Sequence, residues 1–272
     1  MILSLDATDL MDLLELIDQA KSLMKDKKVL EIYEKKITIV GDLHADYKAL
    51  KRILSEAEGL IVFLGDYADR GYQPLEVYSE VLKLFVDGKA TMMRGNHETE
   101  EVFPHELPYQ VDHVVYESLK DLWEKMPVAA IANDLWLAHA GIPTKRCRIG
   151  IDGIKLSEVK NPTKELQLEI MWNDPWEYDE CGENYNRGVF YFFGKIASDV
   201  FLDSVGCRVI VRSHEPYKVL KAEQDGRVVT LGSCAEPYGL KSFATLKIDF
   251  EKSYRNGFDL VRLFGHVFDY YF

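Results

Sequence analysis

Apolar and polar positions along this chain repeat one unit: a short β-branched or apolar run that stops at a cluster of Gly, Asp, Asn and His. Residues 36–40 (KITIV) run into Gly41-Asp42-Leu43-His44, and residues 60–64 (LIVFL) into GDYADRG at 65–71. Residues 90–93 (ATMM) run into RGNHE at 94–98, 135–138 (LWLA) into His139-Ala140-Gly141, and 208–211 (RVIV) into Arg212-Ser213-His214. None of these runs alternates, so each predicts a strand buried on both faces of a sheet covered by helices. Residues 47–58 and 74–85 between them have helical spacing. So do residues 8–25, where Leu10, Leu13, Leu14, Ile17, Ala20 and Leu23 fall on one side. Further on, residues 219–231 read as strand, Asp225-Gly226, strand, which predicts a hairpin, and 244–249 and 259–264 read as two more strands. The predicted class is α/β, a central β-sandwich flanked by helices in α/β/β/α layers. Its polar clusters lie at the carboxyl ends of the strands, where open α/β sheets bind ligands. No repeat, low-complexity stretch or Gly/Ser linker interrupts the pattern, so residues 1–272 are expected to form one domain.

The clusters contain the chemistry. Of seven histidines, His44, His97, His139 and His214 all sit at strand ends beside Asp or Asn. Helix capping would account for Asp42 or Asp66 alone, but not for the histidines or Asn96. Mixed carboxylate, imidazole and amide donors suit divalent manganese, with iron or zinc as alternatives, rather than a thiolate site. Asp42 and His44, two apart on an extended segment, point the same way and can reach one ion. A shared acid is needed to hold a second ion nearby, and Asp66 is the natural bridge, with Asn96, His139 and His214 completing the second ion.

Charge and cysteine usage narrow the setting. The net charge of -12 argues against nucleic acid and anionic membrane as partners, and it requires a local positive source at any phosphate site. Cys147, Cys181, Cys207 and Cys234 form no CxxC pair, which predicts free thiols in a reducing compartment. The amino terminus lacks a signal-peptide pattern, and the longest apolar region, 126–142, is broken by Asn133 and Asp134. A cytoplasmic location is expected.

GDLHA at 41–45, GDYADRG at 65–71 and GNHE at 95–98 closely resemble the signatures of the phosphoprotein phosphatases, the type 1, type 2A and calcineurin enzymes. The likeness continues through MPVAAIANDLWLAHAG (126–141), MWNDP (171–175), GENYNRGVFYFFG (182–194) and VRSHE (211–215), and so covers about 36–239. The resemblance implies a metallophosphoesterase fold and hydrolysis of phosphoserine and phosphothreonine in proteins by direct attack of a hydroxide bridging two metals. It also implies that His97, oriented and kept cationic by Asp69, protonates the leaving group, and that Arg70, Arg187 and Asn96 bind phosphate. Tyr238, in SCAEPYG at 233–239, resembles a family tyrosine near the phosphate but sits one position out of register, and Cys234 does not match that family's cysteine.

Ala45 and Ala140 replace family glycines, so the loops beside His44 and His139 are expected to differ. The segment 103–113, with His105 and His113, departs from the family and is expected to be a solvated loop. No regulatory-subunit groove is recognised, which favours a catalytic core acting alone. A symmetrical dinucleoside tetraphosphatase shares the first three motifs and is the nearest alternative. A nuclease-like metallophosphoesterase follows, and a catalytically silent phosphopeptide-binding module is the non-enzyme reading.

Overall fold

The computed structural model describes residues 7–149, 153–188 and 190–271. Residues 1–6, where no leader pattern is expected, and Val189, inside the 182–194 segment, lie outside them. No helix among the described residues is long and apolar enough to cross a membrane.

Two sheets face each other. The first is five-stranded and contains β2 (Lys36–Val40), β3 (Leu60–Phe63), β4 (Ala90–Met92), β13 (Ser242–Asp249) and β14 (Gly265–Asp269), in the order β14-β13-β2-β3-β4. The second contains β1 (Val29–Ile32), β5 (Ala129–Ala132), β6 (Leu135–Ala138), β10 (Val209–Arg212), β11 (Leu220–Glu223) and β12 (Val228–Leu231), in the order β1-β5-β6-β10-β12-β11. A small sheet of β7 (Asp174–Pro175), β9 (Phe190–Phe193) and β8 (Gly182–Asn184) sits beside them. All five strands expected before polar clusters are present, and β11 and β12 form the expected antiparallel hairpin.

Strand alternation explains the layers. Ile37, Ile39, Leu135, Leu137, Val209 and Val211 point inward and fill the space between the sheets. Trp136 and Ile210, one residue out of phase, point outward onto Ile170 and Phe201 of α6 (Lys164–Trp172) and α7 (Lys195–Val205). Val40 and Phe63 point outward from the first sheet. They share a core with Leu13 and Ile17 of α1 (Ala7–Leu23), Leu50 of α2 (Tyr47–Leu54), Val81 of α3 (Pro74–Val86) and Trp123 of α4 (His113–Lys125). A short helix, α5 (Leu156–Lys160), precedes α6. The result is the α/β/β/α sandwich expected from the unalternating runs.

Residues 259–264 are not a strand. They belong to α8 (Gly257–Phe264), whose N-cap Asn256 accepts from the Asp259 backbone N–H at 3.2 Å. Leu260 and Phe264, four apart, are buried by this helix. A six-residue, mostly apolar run fits either period, and the capping asparagine decides for the helix.

Candidate active site

Parallel pairing of β2, β3 and β4 in one sheet, and of β6 and β10 in the other, delivers five loops to one end of the sandwich. Several residues there leave the strand in left-handed backbone: His44, Asp66 and His214 have φ of 44°, 57° and 69°. Close packing makes this possible. A Cβ on Gly95 would lie 2.2 Å from Asp66 Oδ1, so the third loop can press against the second only through a glycine. Ala45, at φ 58°, adopts the left-handed form although it is not glycine, whereas Ala140 does not need it and accepts a bond from Arg212.

The six residues expected to bind metal come together, each at most 5% exposed. Asp66 Oδ2 lies 3.5 Å from His44 Nε2 and 3.4 Å from His139 Nε2, so one carboxylate oxygen faces both halves of the cluster. His139 Nε2 is also 2.8 Å from Asn96 Oδ1 and 3.0 Å from His214 Nδ1. Bonds of about 2.1 Å to one ion would separate neighbouring ligand atoms by about 3.0–3.4 Å, which matches this half of the cluster. On the other side, Asp42 Oδ2 has no hydrogen-bond partner among the described residues and lies 4.0 Å from His44 Nε2. Its Oδ1 is held by Ser213 Oγ at 2.5 Å and by His214 N at 3.0 Å. The Ala68 carbonyl, 3.0 Å from His44 Nδ1, leaves Nε2 turned to the cluster.

Electrostatics agree with a cation site. Burial raises the Asp42 carboxyl and lifts Asp66 well above its ordinary range, with Asp42 and Glu98 adding to the effect at Asp66. Burial also lowers His44 to about 4 and His139 and His214 well below the usual imidazole range, which leaves neutral rings able to coordinate. Clustered buried carboxylates with neutral imidazoles lack compensating positive charge, and divalent ions would supply it. The donor set therefore fits two ions sharing Asp66.

His97 stands beside the cluster with its ring 4.8 Å from that of His44. Its Nδ1 is 2.7 Å from Asp69 Oδ2, which fixes the ring's orientation as expected. Burial lowers the His97 pKa, and the opposing pull of Asp69 does not make up the difference. Asp69 is buried too, but hydrogen bonds from His105 and His97 hold its carboxyl well below the carboxylate range. Arg187 donates from Nε to Asp174 Oδ2 at 2.9 Å and from Nη2 to the His214 carbonyl at 3.3 Å. The Tyr238 ring lies 5.4 Å from His44, and burial raises its hydroxyl pKa. A cleft of about 420 Å³ opens beside Asn96, bordered by Lys28, Arg94, Lys164 and Trp172.

The calcineurin-like phosphoesterase family model matches residues 35–218, a stretch that spans the strands and loops of this site up to His214. The chain belongs to that family. Its sequence is 32% identical over 206 residues to the serine/threonine-protein phosphatase 2B catalytic subunit A1 of Saccharomyces cerevisiae, covering 66% of this chain and 37% of that one. It is 29% identical over 229 residues to an Encephalitozoon cuniculi protein named as a probable serine/threonine-protein phosphatase, covering 75% and 48%. The chain thus spans about half the length of the curated relatives it matches. In fold it resembles a Saccharomyces cerevisiae protein serine/threonine phosphatase described as similar to human phosphatase PP5, with a TM-score of 0.80, 23% identity, and 94% and 89% of the two chains covered.

Within this phosphoesterase frame, several site residues had no role assigned from sequence. Glu98, fully buried, accepts from the backbone N–H of Asp66, Tyr67 and Gly95 at 2.8, 3.1 and 2.8 Å, and burial pushes its carboxyl up to about 7. Asp174 gathers Arg187, Arg212 and Asn184. Asp46 caps α2 through the Ala49 N–H and, with its other oxygen, holds the loop carrying Tyr238 through the N–H groups of Ala235 and Glu236. The segment 103–113 corrects an expectation. His113 and Phe103 are solvent-exposed, but Leu107 is buried, and His105 and Glu106 bond to Asp69 and Arg70. The segment turns into the site because Asp69 offers oxygens that its backbone N–H groups fill.

Proposed function

We propose that this chain is a metal-dependent serine/threonine protein phosphatase that hydrolyses phosphoserine and phosphothreonine monoesters, using two divalent ions, manganese by preference. The observation that carries this reading is Asp66 Oδ2, placed at 3.5 and 3.4 Å from imidazole nitrogens on either side, with the His97–Asp69 pair alongside. Asp42, His44 and Asp66 would hold one ion, and Asp66, Asn96, His139 and His214 the other. When bound, the ions would supply Lewis acidity and a nucleophilic water at neutral pH.

The chain's own residues do the rest. His97 also lies within ligand distance of His44 and Asp66, but its Nδ1 is committed to Asp69, which favours the acid role over coordination. Its Nε2 gives a proton to the departing serine or threonine oxygen. A bound phosphate dianion would favour the protonated ring, against the burial that lowers its pKa. Arg70 and Arg187 take phosphoryl oxygens, Asn96 contributes its amide, and Tyr238 closes the side facing His44. The match to named serine/threonine phosphatases favours protein substrates over dinucleotides. A cytoplasmic location accords with the free cysteines and acidic surface.

Initial rates with a phosphoserine peptide, a phosphotyrosine peptide, diadenosine tetraphosphate and single-stranded DNA, each with manganese, test the reading. The expected order puts the phosphoserine peptide first and leaves DNA uncut. A marked preference for the dinucleotide would displace the protein-phosphatase reading in favour of a dinucleoside tetraphosphatase.

A further inference from the structure

The turn Asp69-Arg70-Gly71 is unusual in its backbone. Asp69 and Arg70 are consecutive non-glycine residues at φ of 62° and 67°, a conformation that persists only where surroundings impose it. The surroundings here are residues 104–107. Glu106 N and Leu107 N each donate to Asp69 Oδ1 at 2.8 Å, and His105 Nδ1 lies 3.0 Å from Asp69 Oδ2. His105 is fixed in turn by the Tyr116 hydroxyl, 3.1 Å from its Nε2.

Arg70 is held from the same segment. Glu106 Oε2 accepts from the Arg70 backbone N–H at 3.1 Å and from Nη1 at 3.1 Å, and the Pro104 carbonyl accepts from Nη1 at 2.8 Å. Both bonds fall on one nitrogen of the guanidinium. Nε and Nη2 make no hydrogen bond among the described residues, so one edge of the fork is pinned and the other is left free. A free arginine spends rotamer entropy each time it binds an anion, and one clamped by a single nitrogen does not.

We propose that Glu106 is a positioning residue for substrate phosphate. It anchors Arg70 through Nη1 so that the Nε–Nη2 edge is presented to the phosphoryl group before substrate arrives. The inference rests on the reading of Arg70 as a phosphate ligand. An isolated half-exposed ion pair would contribute little. This one differs because the same carboxylate oxygen also holds the Arg70 backbone, and because Glu106 is itself tied to Asp69 by its own N–H.

The test measures inorganic phosphate bound by the manganese-loaded protein, by calorimetry without substrate and as a competitive inhibitor of p-nitrophenyl phosphate turnover. Four proteins are compared with wild type: Glu106→Ala, Glu106→Gln, Arg70→Ala and the Arg70→Ala/Glu106→Ala double variant. Glu106→Ala is expected to weaken phosphate and raise KM about tenfold while kcat stays within about threefold. Glu106→Gln, which keeps an acceptor, is expected to recover most of the loss. Once Arg70 is gone, removing Glu106 is expected to cost less than about twofold more. Should Glu106→Ala fold poorly, Glu106→Asp, which keeps the charge but draws the carboxylate back by one methylene, is expected to weaken phosphate in the same direction.

Unchanged phosphate affinity in the Glu106 variants, with Arg70→Ala weakened, would overturn this inference alone. So would tighter phosphate binding in Glu106→Ala, because Glu106 would then compete with phosphate for Arg70. A full additive loss in the double variant would do the same. Wild-type affinity in Arg70→Ala would instead remove Arg70 from the phosphate site and the inference with it.

Discussion

Asp66→Asn is expected to lose phosphomonoester turnover by at least about three orders of magnitude and to retain fewer than two metal ions per chain. The substitution is nearly isosteric, and its Oδ1 can still accept the His97 N–H, so the loop around it keeps its anchor. What changes is the atom facing the cluster. Oδ2, which lies 3.4 Å from His139 Nε2 and 3.5 Å from His44 Nε2, becomes an NH₂ group that cannot coordinate a cation. Neither half of the cluster then has its shared anion. The metal-free fold should not suffer, because burial beside Asp42 and Glu98 already disfavours a charged Asp66. Chelator-stripped Asp66→Asn is therefore expected to unfold at or above the temperature of stripped wild type. Metal content by elemental analysis and thermal unfolding of the stripped proteins check both halves. A variant that still holds two ions would show that Asp66 does not join them.

His97→Ala is expected to lower kcat by about 10²- to 10⁴-fold on a phosphoserine peptide while metal content stays at the wild-type level. Serine leaves as a basic alkoxide and needs a proton, whereas p-nitrophenolate does not. The loss on p-nitrophenyl phosphate is therefore expected to be smaller than on the peptide. This dependence on the leaving group separates an acid from a residue that only shapes the site. Asp69→Asn should move in the same direction, because Asp69 Oδ2 sets the ring through Nδ1. Equal losses on both substrates, or depletion of metal in His97→Ala, would reassign His97 to a structural or ligating role.

The strand-end loops and the residues that converge there are legible in the sequence, because each of those loops is an abrupt change from a buried strand to polar side chains, whereas the sorting of strands into two sheets is not. Sequence reasoning failed where the signal is not a side chain. Nothing in the letters 103–113 says that the N–H groups of Glu106 and Leu107 will seek Asp69, since backbone donors look alike at every position. Glu98, Asp174 and Asp46 went without a role for a related reason. Their long-range partners, the amides of Asp66, Tyr67, Ala235 and Glu236 and the guanidinium groups of Arg187 and Arg212, are brought near only by the sandwich. The misread 259–264 run is a local failure. Too few residues carry the period, and the capping asparagine lies just outside the run.

Turnover is expected to require two ions held around Asp66. Protein stripped with chelator is titrated with manganese, and bound metal and phosphoserine-peptide turnover are measured on the same samples. The predicted result is no turnover in the stripped protein and a rate that reaches its maximum as the second ion per chain is bound. Full turnover without metal, or saturation at one ion per chain, would contradict it.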